Sequence, residues 1–116
     1  MSKTPVLDFT LFYVSDLDAS LKFFTQVLGL KDDPKQASPF FRGFVDTPMG
    51  LALPADEARR PGKVELYYKV DDIEEAHREL ASKGAEITEI SHQPFGSIFS
   101  VTAPDGHLVT LLQEPE

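Results

Sequence analysis

Hydrophobic and polar residues follow the same order twice along this chain. Residues 9–29 begin with aromatic and β-branched residues, continue through a polar turn and end in an apolar stripe at helical spacing. Residues 65–85 repeat this plan in constant register, so that Val14 matches Val70 at an offset of 56. An internal repeat of this kind predicts two copies of one structural unit.

The first copy predicts a strand, a helix and three shorter segments. The strand covers residues 6–14, and Ser15 is the predicted N-cap of the helix, with Asp18 at the reciprocal position of a capping box. Gly29 is the predicted end of the helix. Residues 31–38 are polar and predict a loop or an irregular edge strand. Further on, the pattern predicts a strand at 40–46, a turn at 47–50 and a short strand at 51–53.

The second copy alternates more cleanly. In the strand predicted at 63–70, Glu65 and Tyr67 point to one face and their neighbours to the other. Asp71 is the predicted N-cap of the second helix, with Glu74 at the reciprocal position, and Gly84 ends it. The remaining predicted strands are 86–90, 97–102 and 107–113, with a turn at 103–106, and the charged stretch 56–62 is the predicted linker between the copies.

These elements predict an α+β fold in a single domain, 1–116, made of a first module at 5–58 and a second at 63–114. A unit of about 55–60 residues is marginal alone, so the modules are expected to share a sheet. Both helices should lie on the convex side of this curved mixed sheet. The concave face is then left as an open cleft for a ligand or another chain.

Composition excludes several classes of partner. The net charge is −8 without any basic stripe, so neither nucleic acid nor an anionic membrane is an expected partner. Cysteine is absent, which excludes disulfides and thiolate chemistry. The first residues show no signal-peptide pattern, and no apolar run approaches the roughly 18 residues of a spanning helix. A cytoplasmic protein is therefore expected.

Three segments carry a resemblance to a known family: VSDLDASLKFFTQVLGL, VDDIEEAHRELASKGAEI and APDGHLVTLLQ. In this order and spacing they resemble the vicinal oxygen chelate superfamily, and the resemblance covers nearly the whole chain. The superfamily includes glyoxalase I, extradiol dioxygenases, and fosfomycin- and bleomycin-resistance proteins. The resemblance implies a pair of βαβββ modules, in agreement with the repeat.

The resemblance also implies four metal-ligand positions on the concave face. They correspond here to Phe9, Pro54, Glu65 and Thr110. Phe9 and Pro54 have no side-chain donor and Thr110 offers only a neutral oxygen, so Glu65 alone is a weak candidate ligand. This reduced set resembles the metal-free bleomycin-resistance branch. We therefore expect no cofactor, with a divalent metal ion as the alternative.

The same face supplies the candidate binding residues. Aromatic side chains there could stack on a planar ligand, and a carboxylate could orient it. Each of these residues also has a purely structural interpretation. The aromatic residues could form core, Lys63 or Lys69 could neutralise Glu65, and Arg42 could be a solvated strand residue. The candidate ligand-binding residues are Phe9, Tyr13, Arg42, Glu65, Tyr67 and Thr110.

Two functions of different classes follow. The first is a homodimeric binding protein of the bleomycin-resistance type, which sequesters an organic ligand, including a cationic one, in an aromatic, acidic cleft. Such a protein would serve antibiotic resistance and would not be an enzyme. The second is a metal-dependent lyase, isomerase or dioxygenase with an atypical site around Glu65. A third class of function is an interaction domain whose concave face is covered by another protein.

Overall fold

The computed structural model describes residues 4–104 and 106–115, so Asp105 of the predicted turn at 103–106 lies outside the described residues. The chain divides into two compact units. The first unit is Phe9–Glu65. The second unit joins the N-terminal stretch up to Asp8 to the residues from Leu66 onward. Each unit is described by itself below.

The described residues contain eight strands and two α helices in the order βαβββ-βαβββ, so the predicted α+β class and module plan are confirmed. The first copy consists of β1 (Val6–Tyr13), α1 (Leu17–Lys22), a π-helical turn (Phe23–Val27), β2 (Asp32–Ser38), β3 (Phe41–Phe44) and β4 (Thr47–Ala52). A 3₁₀ turn (Glu57–Arg59) follows. The second copy consists of β5 (Val64–Lys69), α2 (Ile73–Ser82), β6 (Ser91–Gln93), β7 (Gly96–Thr102) and β8 (Leu108–Gln113).

The first unit has strands in the order β2-β3-β4-β1. β1 runs parallel to β4, with Tyr13 opposite Ala52, and the other two pairs are antiparallel. Phe24 of the π-helical turn packs against Phe12 and Phe44, with ring centroids 6.1 and 5.8 Å apart. The helical segment therefore covers the Phe12 face of β1, and Tyr13 is buried on the opposite face.

The second unit has the order β5-β8-β7-β6. Its core forms where Ile73 and Ala76 of α2 pack against Phe99 and Leu111 of the sheet. Because neighbouring residues in a strand point to opposite faces, Thr110 lies on the face away from α2. None of the helices in the described part of the chain is long and apolar enough to cross a membrane.

Both helix caps lie one residue later than predicted. Asp16, not Ser15, caps α1 by accepting the Ala19 N–H at 3.0 Å. Asp72, not Asp71, caps α2 in the same way. In each case a bend at the predicted cap residue precedes the observed cap, and the cap itself has the extended dihedral angles typical of an N-cap. The aspartates at offset 56 are thus equivalent in structure as well as in sequence.

The hairpin in the first unit turns earlier than predicted. The turn is at Val45 and Asp46, where Asp46 has a φ of +53°. The predicted turn at 47–50 instead belongs to β4. Pro48 is tolerated there because it lies beside the shift in β3–β4 pairing that separates Gly43 from Phe44.

Two further segments differ from or refine the sequence prediction. Residues 86–90 form only an isolated bridge, Ile87 to Val101, and not a strand. The ladder ends there because the Ser100 N–H donates to the side-chain hydroxyl of Thr88, at 2.9 Å, instead of to a backbone carbonyl.

In the first unit, β2 is the edge strand that was one of two alternatives for residues 31–38, and its pairing shifts between Asp32 and Ala37.

The cap assignment predicts different costs for two neighbouring substitutions. Asp16→Ala should lower the free energy of unfolding by about 1 kcal/mol, because the Ala19 N–H loses its acceptor. Ser15→Ala, the matched control, should change it by less than about 0.5 kcal/mol, as a surface substitution does. Urea unfolding measures both. A larger loss for Ser15→Ala than for Asp16→Ala would contradict the assignment.

Candidate functional site

The first unit contains a buried carboxylate. Glu65 of β5 is only 1% exposed. The hydroxyl of Tyr13 donates to its Oε1, and Nε of Arg59 donates to the same oxygen at 3.0 Å. A buried charge is costly unless it is paired and hydrogen-bonded, and these two contacts supply both conditions.

The linker between the modules positions Arg59. Asp56 begins the 3₁₀ turn by accepting the backbone N–H of Arg59 at 3.1 Å, and its other oxygen accepts Nη1 of the same side chain at 2.7 Å. Two backbone bonds join the end of the linker to β1: Gly62 N–H to the Tyr13 carbonyl and Tyr13 N–H to the Lys63 carbonyl, each 3.0 Å. The guanidinium is therefore fixed from both of its ends beside Glu65.

Two opposing effects act on the pKa of Arg59. Burial lowers the pKa of the Arg59 guanidinium, but the charge and hydrogen bond of Glu65 act the other way, and the net pKa is raised well above its ordinary value. Arg59 therefore carries a positive charge beside Glu65. The guanidinium and the carboxylate form an ion pair, with the Tyr13 hydroxyl as a third member of the group.

The register places one family position differently from the sequence prediction. Val14 N–H donates to the Ala52 carbonyl, and its repeat partner Val70 donates to Leu112, both at 2.9 Å. Ala52 and Leu112 are therefore equivalent. Two residues earlier, Thr110 is equivalent to Gly50 and not to Pro54, which follows the end of β4. The prediction was wrong because it aligned the two copies through a turn that lies elsewhere in the first unit.

The residues at the four family positions do not fit a divalent ion. Phe9 and Gly50 have no side-chain donor, and a β-carbon at Gly50 would collide with the Phe41 ring. The Thr110 hydroxyl is bonded to Ser100 at 2.7 Å. Glu65 already accepts two hydrogen bonds at Oε1, one of them from a cation. Among the described residues no group of three or more His, Asp or Glu side chains comes together as a metal site.

The structure brings Tyr13 and Glu65 into direct contact, and the alternation of β1 places Phe9, which is half-buried, on the same face as Tyr13. Tyr67 is half-buried two residues after Glu65 on β5, and Thr110 is fully buried on β8.

Arg42 is not part of this group. It lies opposite Leu51, which in turn lies opposite Phe12, so it is on the helix-covered face of the first unit. There it contacts Asp32 at 3.5 Å. The alternation of β3 alone could not show this, because the register of β3 on β4 decides which face each residue takes.

Arg59 is the site residue that sequence reasoning missed. The segment DEARRPG is charged and aperiodic, and it was interpreted as a linker. The expected neutralising partners of Glu65 were Lys63 or Lys69, but Lys69 instead pairs with Glu114 at 3.1 Å. Nothing in the sequence distinguishes Arg59 from Arg60, because the 3₁₀ turn decides which of the two faces β5.

Comparison with known proteins places the chain in a family. The profile of the Glyoxalase/Bleomycin resistance protein/Dioxygenase superfamily matches residues 6–111, and the chain belongs to this superfamily. The predicted resemblance is therefore confirmed at the level of the superfamily. A search of curated proteins found no match.

Several solved structures share the fold. A structure described as an NAD-dependent benzaldehyde dehydrogenase from Legionella pneumophila has a TM-score of 0.72 at 25% identity, covering 92% of this chain and 98% of that one. A superfamily member from Vibrio splendidus 12B01 has 0.69 at 22%, covering 96% and 100%. Methylmalonyl-CoA epimerase from Mycobacterium tuberculosis has 0.69 at 20%, covering 96% and 89%.

The ion pair predicts a specific stability loss. Arg59→Leu should lower the free energy of unfolding by about 3 kcal/mol, because Glu65 is left buried without its counter-charge. Arg60→Leu, the adjacent exposed arginine, should cost less than about 0.5 kcal/mol in the same urea titration.

A double variant separates charge from packing. Arg59→Leu combined with Glu65→Gln should recover part of the loss, because no charge is then buried unpaired. Equal losses for Arg59→Leu and Arg60→Leu would contradict the assignment of Arg59 as the partner of Glu65.

Proposed function

We propose that this chain is a metal-independent small-molecule binding protein of the glyoxalase and bleomycin-resistance type. The proposal rests on the hydrogen bonds that the Glu65 carboxylate already accepts. Glu65 is the one carboxylate at a family ligand position, and Tyr13 and Arg59 already occupy its Oε1. A divalent ion at that oxygen would have to displace the guanidinium or lie against another positive charge.

The contacts also bear on the charge of the ligand. A cationic ligand was expected because the cleft was predicted to be aromatic and net acidic. Since Arg59 already neutralises Glu65, a cation is the ligand type that this pair supports least. We propose instead a planar organic molecule without a positive charge, which would stack on aromatic residues such as Phe9 and could accept hydrogen bonds.

We keep a cytoplasmic homodimer within the proposal. Its support is that Val6 and Leu7 at the start of β1 are 66% and 53% exposed, since exposed apolar side chains are common at contacts between chains. A role in antibiotic resistance belongs to the same proposal and depends on the identity of the ligand.

The alternative is a metal-dependent lyase, isomerase or dioxygenase with Glu65 in its site. It is favoured by the superfamily itself and by fold neighbours such as the epimerase. Dehydrogenase chemistry is not carried over from the Legionella structure, because this sequence contains no Gly-x-Gly segment of the kind that forms a dinucleotide-binding loop.

Metal analysis distinguishes the two functions. Untagged protein dialysed against zinc, manganese, nickel or iron should retain far less than one ion per chain. The same ions should not raise the melting temperature, although a ligand at 100 times its Kd would stabilise the fold by about 2.7 kcal/mol. A stoichiometric ion lost in Glu65→Ala but kept in Glu89→Ala, an exposed carboxylate as control, would contradict the metal-independent proposal and favour the enzyme alternative.

Ligand binding is tested separately. Thermal-shift screening should find planar aromatic compounds that raise the melting temperature, with neutral or anionic rings ahead of matched cationic ones. Calorimetry should then give saturable binding that weakens in Phe9→Ser. A screen in which no compound stabilises the protein would defeat the binding proposal, and a preference for cationic rings would return the ligand class to the original expectation.

A further inference from the structure

The second unit contains an open apolar groove on the α2 side of its strands. Its volume is about 420 Å³, within the usual size range of small-molecule sites. None of the described side chains that line it carries a charge, and most are only partly buried, so apolar surface faces the groove. The lining side chains of the strands and of α2 are Leu66, Tyr68, Leu80, Val101, Val109 and Leu111.

Two of these side chains have aromatic counterparts in the first copy of the repeat. Tyr68 is equivalent to Phe12 at the offset of 56 that relates the two copies. Leu80 is equivalent to Phe24 at the same offset, and each lies at the same distance in sequence from the aspartate that caps its helix. The second copy therefore has an isobutyl group where the first copy has a phenyl ring.

A second phenyl ring of the first copy has its counterpart at Val101. The last strands of the two copies are equivalent at Gly50 and Thr110. Phe44 follows the partner of Gly50 in β3. Val101 follows the partner of Thr110 in β7. Both face the helical segment of their own unit, because Phe44 packs against Phe24 and Val101 packs against the core beside α2.

In the first unit these rings pack together. Phe24 contacts Phe12 and Phe44 with ring centroids 6.1 and 5.8 Å apart, and Phe44 is fully buried. In the second unit the buried ring of Phe99 packs against His77 instead, with centroids 4.9 Å apart, and it does not line the groove. The groove therefore opens where the second copy has an isobutyl and an isopropyl group in place of two phenyl rings.

We propose that this groove binds a small neutral aromatic molecule, with its phenyl ring between Leu80 and Val101 and beside the ring of Tyr68. Burial of apolar surface supplies the affinity, and the contact with the tyrosine ring adds to it. A charged group would lose its hydration without gaining a counter-charge from the described lining residues. The groove lies wholly in the second unit, and the proposal does not depend on the ligand proposed for the first unit.

Methyl NMR locates the ring and measures its affinity in one titration. Toluene is added to the full chain, labelled at its leucine and valine methyl groups. The methyl signals of Val101 and Val109 should shift in a saturable way, because an aromatic ring changes the shielding of the methyl groups that it contacts. Benzoate and benzylammonium carry a charged group on the same ring, and each should bind about tenfold or more weakly than toluene.

Variants that fill the groove restore the rings of the first copy. Val101→Phe and Leu80→Phe should each weaken toluene binding about tenfold or more, because the new ring occupies the space of the ligand. Val27→Phe adds the same ring at an exposed position of the first unit and should stay within about twofold of the wild type. The wild-type titration locates the ring independently of both filling variants, through the two valine methyl groups.

Three results would overturn the proposal: no saturable shift at Val101 and Val109 with toluene, equal affinity for either charged ring, or unchanged binding in both filling variants. Loss of toluene binding in Phe9→Ser would also overturn it, by placing the ring at the site proposed for the first unit. A dimer in sedimentation that Val109→Glu disperses would assign the groove to a second copy of the chain instead. A stoichiometric metal ion would overturn the proposed function but would leave this titration unchanged.

Discussion

The need to stabilise one buried charge constrains the first unit more than any other interaction. Glu65 is almost completely removed from water, and its carboxylate has to be compensated locally. Tyr13 supplies a hydroxyl from β1 and Arg59 supplies the counter-charge from the linker. The linker therefore has a defined conformation, with a capped 3₁₀ turn and two backbone bonds to β1, instead of the loose connection that its composition suggests.

The two copies of the βαβββ plan share a backbone but differ in chemistry. The equivalent first-strand positions carry Phe9 and Glu65, and the equivalent last-strand positions carry Gly50 and Thr110. A duplicated metal site needs donors at both ends of both copies, and this chain has a usable one at a single position. Superfamily membership therefore gives the fold of this protein, whereas the chemistry of its site depends on the contacts of Glu65.

The second unit differs in where its polar groups lie. Its core is apolar on the α2 side, and the buried hydroxyls of Ser100 and Thr110 satisfy each other on the opposite face. Partly buried apolar side chains remain beside α2, near Glu75 and Glu79 of the helix. The first unit therefore buries a carboxylate where the second buries a pair of hydroxyls.

The sequence by itself determined the duplication, the order of strands and helices, the family and the contact-forming face of Tyr13 and Glu65, because these depend on local periodicity and on residue types at fixed spacing. It placed both caps one residue too early and the first hairpin turn two residues too late. Ser15 and Asp16, like Asp71 and Asp72, give similar capping signals, and Pro48 and Gly50 give a turn signal inside β4. Only the tertiary structure decided that Arg42 lies on the far face, that Gly50 takes the position predicted for Pro54, and that Arg59 neutralises Glu65. Each of these depends on register or on contacts between residues from different strands and the linker, and long-range geometry of that kind leaves no periodic trace in the sequence.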